Sequence, residues 1–107
     1  IFHCMVLIYT TCKDTGEAVK MGTEILDARL ASAVNLWPIQ SIRRTHDREV
    51  ASELSAGMFI KTMEPRIADI EALVAKFRGT TMPYIGAIDI RRFNREYREW
   101  MSSVVKE

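Results

Sequence analysis

Cysteine is scarce in this sequence, with two residues among 107, Cys4 and Cys12. Both fall in or next to an apolar segment that is predicted to be extended, and the eight residues that separate them span roughly 26 Å in a strand. A disulfide joins Cα atoms that lie at most about 7 Å apart, so we expect no bridge between them. Cys4 is expected to pack in the core. Unpaired thiols are typical of a reducing compartment, and the sequence therefore predicts a cytoplasmic protein.

Long apolar runs and an excess of charge of one sign are also missing. No run approaches the roughly 18 apolar residues of a membrane-spanning helix, and no signal-peptide pattern is visible. Fifteen basic and 14 acidic residues leave a net charge of +1, which lacks the strong basic bias of nucleic-acid binders. The length and a hydrophobic fraction of 48% predict one globular domain, residues 1–107.

Motifs for catalysis are absent from the sequence as well. It contains no nucleophile elbow, no phosphate-binding loop and no zinc-protease motif. His46 lies in a charged segment beside Asp47, where a solvated turn histidine is the simpler interpretation. The six methionines form no cluster in the sequence, and methionine usually fills gaps in a core. We therefore expect a protein that is not an enzyme.

Periodicity and capping residues predict seven elements in the order β-α-β-β-α-β-α. A nearly continuous apolar run at 2–11 predicts a central strand, and Asp14 with Glu17 predicts a capping box that opens the first helix. The later elements are strands at 32–45 and 50–62, a helix from Glu64-Pro65 to Gly79, a strand at 85–90 and a last helix capped by Asn94. This order predicts an α+β, ferredoxin-like β-α-β-β-α-β sandwich, with an extra C-terminal helix that covers a sheet edge or a partner.

The two middle strands form a hairpin that is too long for so small a chain. Its arms run to about 13 or 14 residues, against a usual strand length of about 5 or 6, and the polar tip 45–49 joins them. Pro38 cannot donate a ladder hydrogen bond, so it marks a sheet edge or a bulge. Because two short helices cannot cover both arms, we expect pairing with another subunit. The predicted interface residues are Trp37, Ile39, Ile42, Val50 and Leu54.

Three segments resemble the CutA family of divalent-cation tolerance proteins, and the similarity extends over nearly the whole chain. They are the helix-to-strand signature Arg29-Leu30-Ala31-Ser32-Ala33-Val34-Asn35-Leu36-Trp37-Pro38, the third-strand ending Phe59-Ile60-Lys61-Thr62, and Tyr97 with Trp100 in the closing helix. The resemblance implies a homotrimer whose long hairpins pair between subunits. It also implies a role in tolerance of divalent cations, classically copper.

The metal ligands of that family are not retained. Copper-binding members use two cysteines and a histidine, and the matching positions here are Tyr9, Ala33 and Arg78, none of which is a soft-metal ligand. Cys12 remains a candidate, since it precedes the first helix, whose dipole together with Lys13 favours a thiolate. One thiolate is not a site, so copper or another divalent metal at Cys12 would need further ligands.

Two other functions stay open at this point. The architecture also resembles PII-type regulatory trimers, which suggests a sensor with a small anionic ligand in a cleft between subunits, lined by Arg43, Lys61 and Asn35. The absence of a long Gly-rich loop argues against it. Alternatively, a purely structural trimer docks a membrane-protein or enzyme partner through its basic hairpin tips.

Overall fold

A computed structural model of the chain describes residues 4–79 and 82–107. Within these ranges the elements are β1 Met5–Cys12, α1 Thr15–Asp27, β2 Ala33–Arg44, β3 Val50–Met63, α2 Ile67–Arg78, β4 Ile85–Asp89 and α3 Arg95–Val104. Their order confirms the prediction, and the bounds of β2 and β3 differ from it by one residue at most. Phe2 and His3, at the predicted start of the first strand, lie outside the described residues. No helix in the described part of the chain is long and apolar enough to cross a membrane.

The strands form one antiparallel sheet in the order β2-β3-β1-β4. This is the order of a ferredoxin-like fold, and it confirms the predicted fold class. β1 is an inner strand, as its continuous apolar run predicted, and every second residue of it is buried. β2 is an edge strand, so Pro38 lies at a sheet edge, which decides between the two interpretations of that proline.

The main core lies between the sheet and the two helices α1 and α2. Its side chains come from alternate positions of the inner strands and from one face of each helix, because a strand turns successive side chains to opposite faces. The fully buried members of large volume are Val6, Ile8, Met21, Ile25, Met58, Ile60, Ile70 and Val74.

The terminal helix α3 packs on the other face of the sheet. Met101 and Val105 are 1% exposed and form a second buried cluster with Met5. Met5 is paired with Met63 in the two inner strands, so α3 covers one end of a sheet face. The expectation that it covers a sheet edge was wrong, because the side chains at this end of β1 and β3 offer it an apolar face within the chain. The expected contact with a partner stays a prediction.

The start of α1 follows the capping signal closely. The side chain of Asp14 accepts a hydrogen bond from the Glu17 backbone N–H at 2.8 Å. In a capping box the carboxylate of Glu17 would return to the Asp14 N–H, but here it accepts from the backbone N–H of Lys13 at 3.0 Å. The predicted helix start is therefore confirmed, with the return bond displaced by one residue.

The other helix starts differ from the prediction in detail. Pro65 lies in a short 3₁₀ turn, Glu64–Arg66, so that the α-helix itself begins at Ile67. Asn94 occupies the cap position of α3, but its side chain makes no capping hydrogen bond. Gly79 ends α2 with a φ of 60°, a backbone conformation that glycine adopts without steric cost.

The β2–β3 hairpin extends beyond the rest of the sheet. The pairing of β1 with β3 ends at Cys12 and Ala56, so in the described chain residues 39–44 and 50–55 pair only with each other. We call these two segments the overhang; six residues per arm project roughly 20 Å. The molecule is accordingly elongated, with extents of 48, 25 and 21 Å. At its end Thr45 N–H donates to Glu49 O at 2.8 Å, which confirms the polar tip.

Candidate functional site

A cleft opens where β1 stops and the hairpin continues without it. Its volume is about 880 Å³, within the range of about 300–1,000 Å³ that is usual for small-molecule sites. The end of β1, the start of α1, the overhang and the C-terminal end of α2 form its walls. These ends meet because β3 runs antiparallel to β1 and α2 then runs back along the sheet.

Arg43 and Glu53 form an ion pair across the overhang in this cleft. Arg43 Nε lies 2.7 Å from Glu53 Oε1. This hydrogen bond and the positive charge of Arg43 lower the pKa of Glu53, and the charge of Arg78 adds to the effect. Glu53 is therefore an ionised carboxylate that is influenced by two guanidinium groups.

Arg78, the last residue of α2, brings a guanidinium to the base of the cleft. Its Nη1 donates a hydrogen bond to the backbone oxygen of Thr11 at 3.2 Å. Its Nε is buried and has no hydrogen-bond partner among the described residues. Arg78 thus brings to the cleft a positive charge that no carboxylate of the described residues contacts as an ion pair.

Cys12 lies at the inner end of the cleft, and its side chain is buried. It is 1% exposed, and its thiol donates to Met58 Sδ at 3.2 Å. Burial and then the charge of Glu17 raise the pKa of Cys12 from 9.0 to about 11, although the charge of Arg78 acts in the opposite direction. The expected thiolate is therefore wrong: desolvation outweighs the helix dipole, and the residue stays a protonated core side chain at neutral pH.

The described residues bring no set of histidine or carboxylate ligands to Cys12. They contain no group of three or more His, Cys, Asp or Glu side chains that would hold a metal. Cys12 is protonated and buried, so it cannot act as a thiolate ligand without losing its packing. The other cysteine, Cys4, is exposed, which corrects the expectation that it packs in the core; it precedes β1 and is not part of the strand.

The structure does not bring Arg43, Lys61 and Asn35 together within one chain. Lys61 pairs with Ala33 at the start of β2, and the ten residues from there to Arg43 span roughly 33 Å. Lys61 Nζ lies instead 5.6 Å from the ring centroid of Tyr97. Of the three predicted residues, Arg43 lines the cleft.

Two cleft cations were not assigned to an anion site from the sequence. Lys13 was considered as a neighbour of Cys12, and Arg78 as a position that had lost a metal ligand. The predicted topology could have identified them, since in this fold the C-terminal end of α2 returns to the end of β1. Lys13 comes directly after β1 and Arg78 is the last residue of α2, so the topology places both at the same end of the sheet.

The five predicted interface residues divide between the two faces of the hairpin. Ile42, Val50 and Leu54 lie on the side of the overhang that continues the helix-covered face, and they are 73%, 66% and 80% exposed. Trp37 and Ile39 lie on the opposite face and are half-buried. The overhang is thus uncovered mainly on one side.

Trp37 belongs to an aromatic cluster on the helix-free face of the sheet. Its ring centroid lies 5.2 Å from that of Phe59, and Tyr9 lies 5.6 Å from Phe59 and 6.2 Å from Tyr84. Gly57 is opposite Trp37, and a Cβ atom there would come within 3.1 Å of the indole ring. The chain itself therefore fixes the position of Trp37.

The three segments that carried the family resemblance meet at one junction. Ser32 N–H donates to Lys61 O at 2.9 Å, and Ser32 Oγ lies 2.9 Å from the hydroxyl of Tyr97. Arg29, with a left-handed φ of 59°, donates from Nε to the backbone oxygen of Val104 at 3.1 Å. The signature residues thus hold the terminal helix on the sheet.

Comparison with known proteins agrees with this arrangement. Residues 6–104 match the family model described as CutA1 divalent ion tolerance protein. The chain belongs to this family. A protein of Archaeoglobus fulgidus named divalent-cation tolerance protein CutA is 31% identical over 100 residues, which cover 92% of this chain and 96% of that relative.

Solved structures show the same fold. CutA1 from the psychrotrophic bacterium Shewanella sp. SIB1 superposes with a TM-score of 0.90 at 26% identity and full coverage of both chains. A structure described as the periplasmic divalent cation tolerance protein CutA from Archaeoglobus fulgidus gives 0.90 at 27% identity, covering 95% of this chain and 99% of that one.

Proposed function

We propose that this chain acts in divalent-cation tolerance, classically that of copper, as a homotrimer without catalytic activity in the cytoplasm. Family membership and the name of its relatives support the role in cation tolerance. The observation that carries the assembly is the uncovered apolar side of the overhang. Ile42, Val50 and Leu54 are exposed to solvent there. Burial of each such side chain by another subunit would stabilise the assembly by roughly 1.5–3 kcal/mol.

The sheet edges support the same assembly. Within the described residues, β2 and β4 each lack a neighbouring strand on one side. Free strand edges tend to pair with another chain, and two different edges that meet head to tail form a ring when the rotation closes. The family resemblance implies that this ring has three subunits.

Tolerance in this proposal does not depend on copper held at Cys12. The thiol is protonated, and the described residues offer no cluster of ligands around it. Copper is included because the resemblance implies it as the tolerated cation; we assign it no ligands among residues 4–79 and 82–107. Titration of the reduced protein with Cu(I) under anaerobic conditions should give the same result for the wild type and for Cys12→Ser.

The proposed compartment rests on the two free thiols, the exposed Cys4 and the buried Cys12, because unpaired cysteine suits a reducing environment. The Archaeoglobus fulgidus structure is described as that of a periplasmic protein, so cell fractionation is the test of this part of the proposal. Fractionation of the source cells should recover the chain with cytoplasmic markers. Release by osmotic shock would overturn this part of the proposal.

The cellular role is tested by growth over concentration series of Cu(II), Zn(II), Ni(II) and Co(II). We expect deletion of the gene to lower the copper concentration that stops growth, and expression of the chain to restore it. Unchanged tolerance to all four ions would overturn the role. Light scattering tests the assembly independently: we expect three times the chain mass of 12.3 kDa, and a monomer at micromolar concentration would overturn it.

A further inference from the structure

The cleft at the end of β1 has a charge balance opposite to that of a cation site. Its permanently cationic side chains outnumber its carboxylates by four to two. A cleft with an excess of one charge sign concentrates ligands of the opposite sign. The cations are Lys13, Arg43, Arg44 and Arg78, and the carboxylates are Glu17 and Glu53.

The cations differ in how far they are already engaged. Arg43 is held by Glu53 at 2.7 Å, and Arg44 Nη1 donates to the backbone oxygen of Arg48 at 2.8 Å. Arg78 has a buried Nε without a partner among residues 4–79 and 82–107. Within these residues Arg44 and Arg78 form no ion pair, and Arg78 is the one of the two that lies at the base of the cleft.

Lys13 follows the last residue of β1 and lines the same cleft as Arg78. Its backbone N–H is bound to Glu17, whereas its ammonium group makes no hydrogen bond or ion pair within the described part of the chain. A phosphoryl group carries up to two negative charges and three terminal oxygens, which suits one guanidinium together with one ammonium group. A phosphoryl group is therefore the anion that this pair of side chains fits best.

The cleft is much larger than a phosphate ion and also has apolar walls. Phe77, half-buried at the end of α2, and Met82, which is 83% exposed, line it together with the cations. Small-molecule sites combine such apolar walls with a few polar anchors. The volume of about 880 Å³ therefore favours a ligand with an organic part as well as a phosphoryl group.

We propose that this cleft binds a small organic phosphate, with Arg78 and Lys13 holding the phosphoryl group and Phe77 and Met82 contacting the organic part. This function goes beyond cation tolerance. The four side chains named belong to one chain and none of them is a predicted interface residue, although Leu54, which also lines the cleft, is one.

Calorimetric titration of the full chain in phosphate-free buffer tests the proposal with three probes. AMP carries a phosphoryl group on a planar organic body, inorganic phosphate lacks the body, and adenosine lacks the phosphoryl group. We expect saturable binding of AMP, at least tenfold tighter than that of either fragment. Absence of AMP binding at millimolar concentration, or binding of one fragment as tight as that of AMP, would overturn the proposal.

Two variants and a matched control locate the site. Arg78→Met should weaken AMP binding roughly tenfold, since it removes charge-assisted hydrogen bonds. Lys13→Gln, which breaks no side-chain contact of the described chain, should weaken it about threefold. Arg91→Met makes the same chemical change at the opposite end of the sheet, next to the bond from Ile90 N–H to Met5 O. Equal affinities for all three variants and the wild type would overturn the site.

Discussion

The hydroxyl of Tyr97 lies 2.9 Å from Ser32 Oγ, and this hydrogen bond joins the last helix to the start of β2. Ser32 is 8% exposed, and its Oγ also lies 3.2 Å from Lys61 O. The Tyr97 ring in turn faces the ammonium group of Lys61 at 5.6 Å. The terminal helix is thus held by polar contacts as well as by the buried side chains of Met101 and Val105.

Removal of that hydroxyl should loosen the junction. Tyr97→Phe is expected to lower the free energy of unfolding by about 1 kcal/mol, because Ser32 loses a half-buried partner. Urea denaturation at fixed protein concentration measures the change. Tyr84→Phe is the matched control, since Tyr84 is 57% exposed, and its loss should stay below about 0.5 kcal/mol. Equal losses for the two variants would contradict the role of the junction.

The contact between Gly57 and Trp37 leaves little room for a methyl group. In Gly57→Ala the new Cβ would lie 3.1 and 3.2 Å from two indole atoms, so we expect a loss of about 1–3 kcal/mol in the free energy of unfolding from overpacking. Gly16→Ala is the control of opposite sign. Its Cβ would meet Asp14 Oδ1 at an ordinary 3.4 Å, and the helix should gain up to roughly 1 kcal/mol. An unchanged free energy of unfolding for Gly57→Ala would show that the Trp37 ring can shift at little cost.

The two thiols should differ sharply in reactivity. Cys4 is exposed, whereas Cys12 is buried and protonated, and alkylation requires an accessible thiolate. Iodoacetamide at pH 8 should therefore modify one cysteine per folded chain rapidly, and peptide mass mapping should place the label on Cys4. Rapid labelling of Cys12 without denaturant would refute its burial.

The raised pKa of Cys12 also predicts how stability depends on pH. The folded chain releases the thiol proton near pH 11, and the unfolded chain near its ordinary value of 9.0. Stability from this group is therefore complete below pH 9 and is lost as the pH rises to about 11. The free energy of unfolding of the wild type should fall over that interval relative to Cys12→Ala. Parallel pH profiles of the two proteins would contradict the shift.

Under the proposed assembly, a charged side chain at position 42 should prevent trimer formation. Ile42→Asp should split the trimer, because it would bury an unpaired carboxylate at the interface, and light scattering should then report the mass of one chain. Val19→Asp is the control, since Val19 is 55% exposed on α1, away from the overhang. An unchanged mass of Ile42→Asp would remove this residue from the interface.

The sequence was sufficient for most of the fold because its signals were local and strong. Alternating apolar residues defined the long strands, and Asp14 capped α1 as expected. The prediction erred in detail where the same residue type is compatible with two local structures. Pro65 suits a 3₁₀ turn as well as a helix start, and Asn94 occupies its cap position without the side-chain bond.

The candidate site was less accessible from the sequence, because distant parts of the chain build it. Arg78 and Thr11 are in contact across 67 positions, and no local pattern links them. The state of Cys12 also depends on tertiary structure, since desolvation under α1 and beside Met58 decides its pKa. The position of Cys12 before α1 and next to Lys13 predicted a thiolate, whereas its burial keeps the thiol protonated.

Because one side of the overhang is uncovered in the single chain, the rate of the last folding step should depend on protein concentration. A newly made chain can bury its own core, but under the proposed assembly the side chains of Ile42 and Leu54 leave water only when another copy arrives. The last stage of folding is then an encounter between molecules, and its rate rises with their number. In dilute solution the overhang stays exposed for longer, and its free strand edge is the segment that other chains meet first.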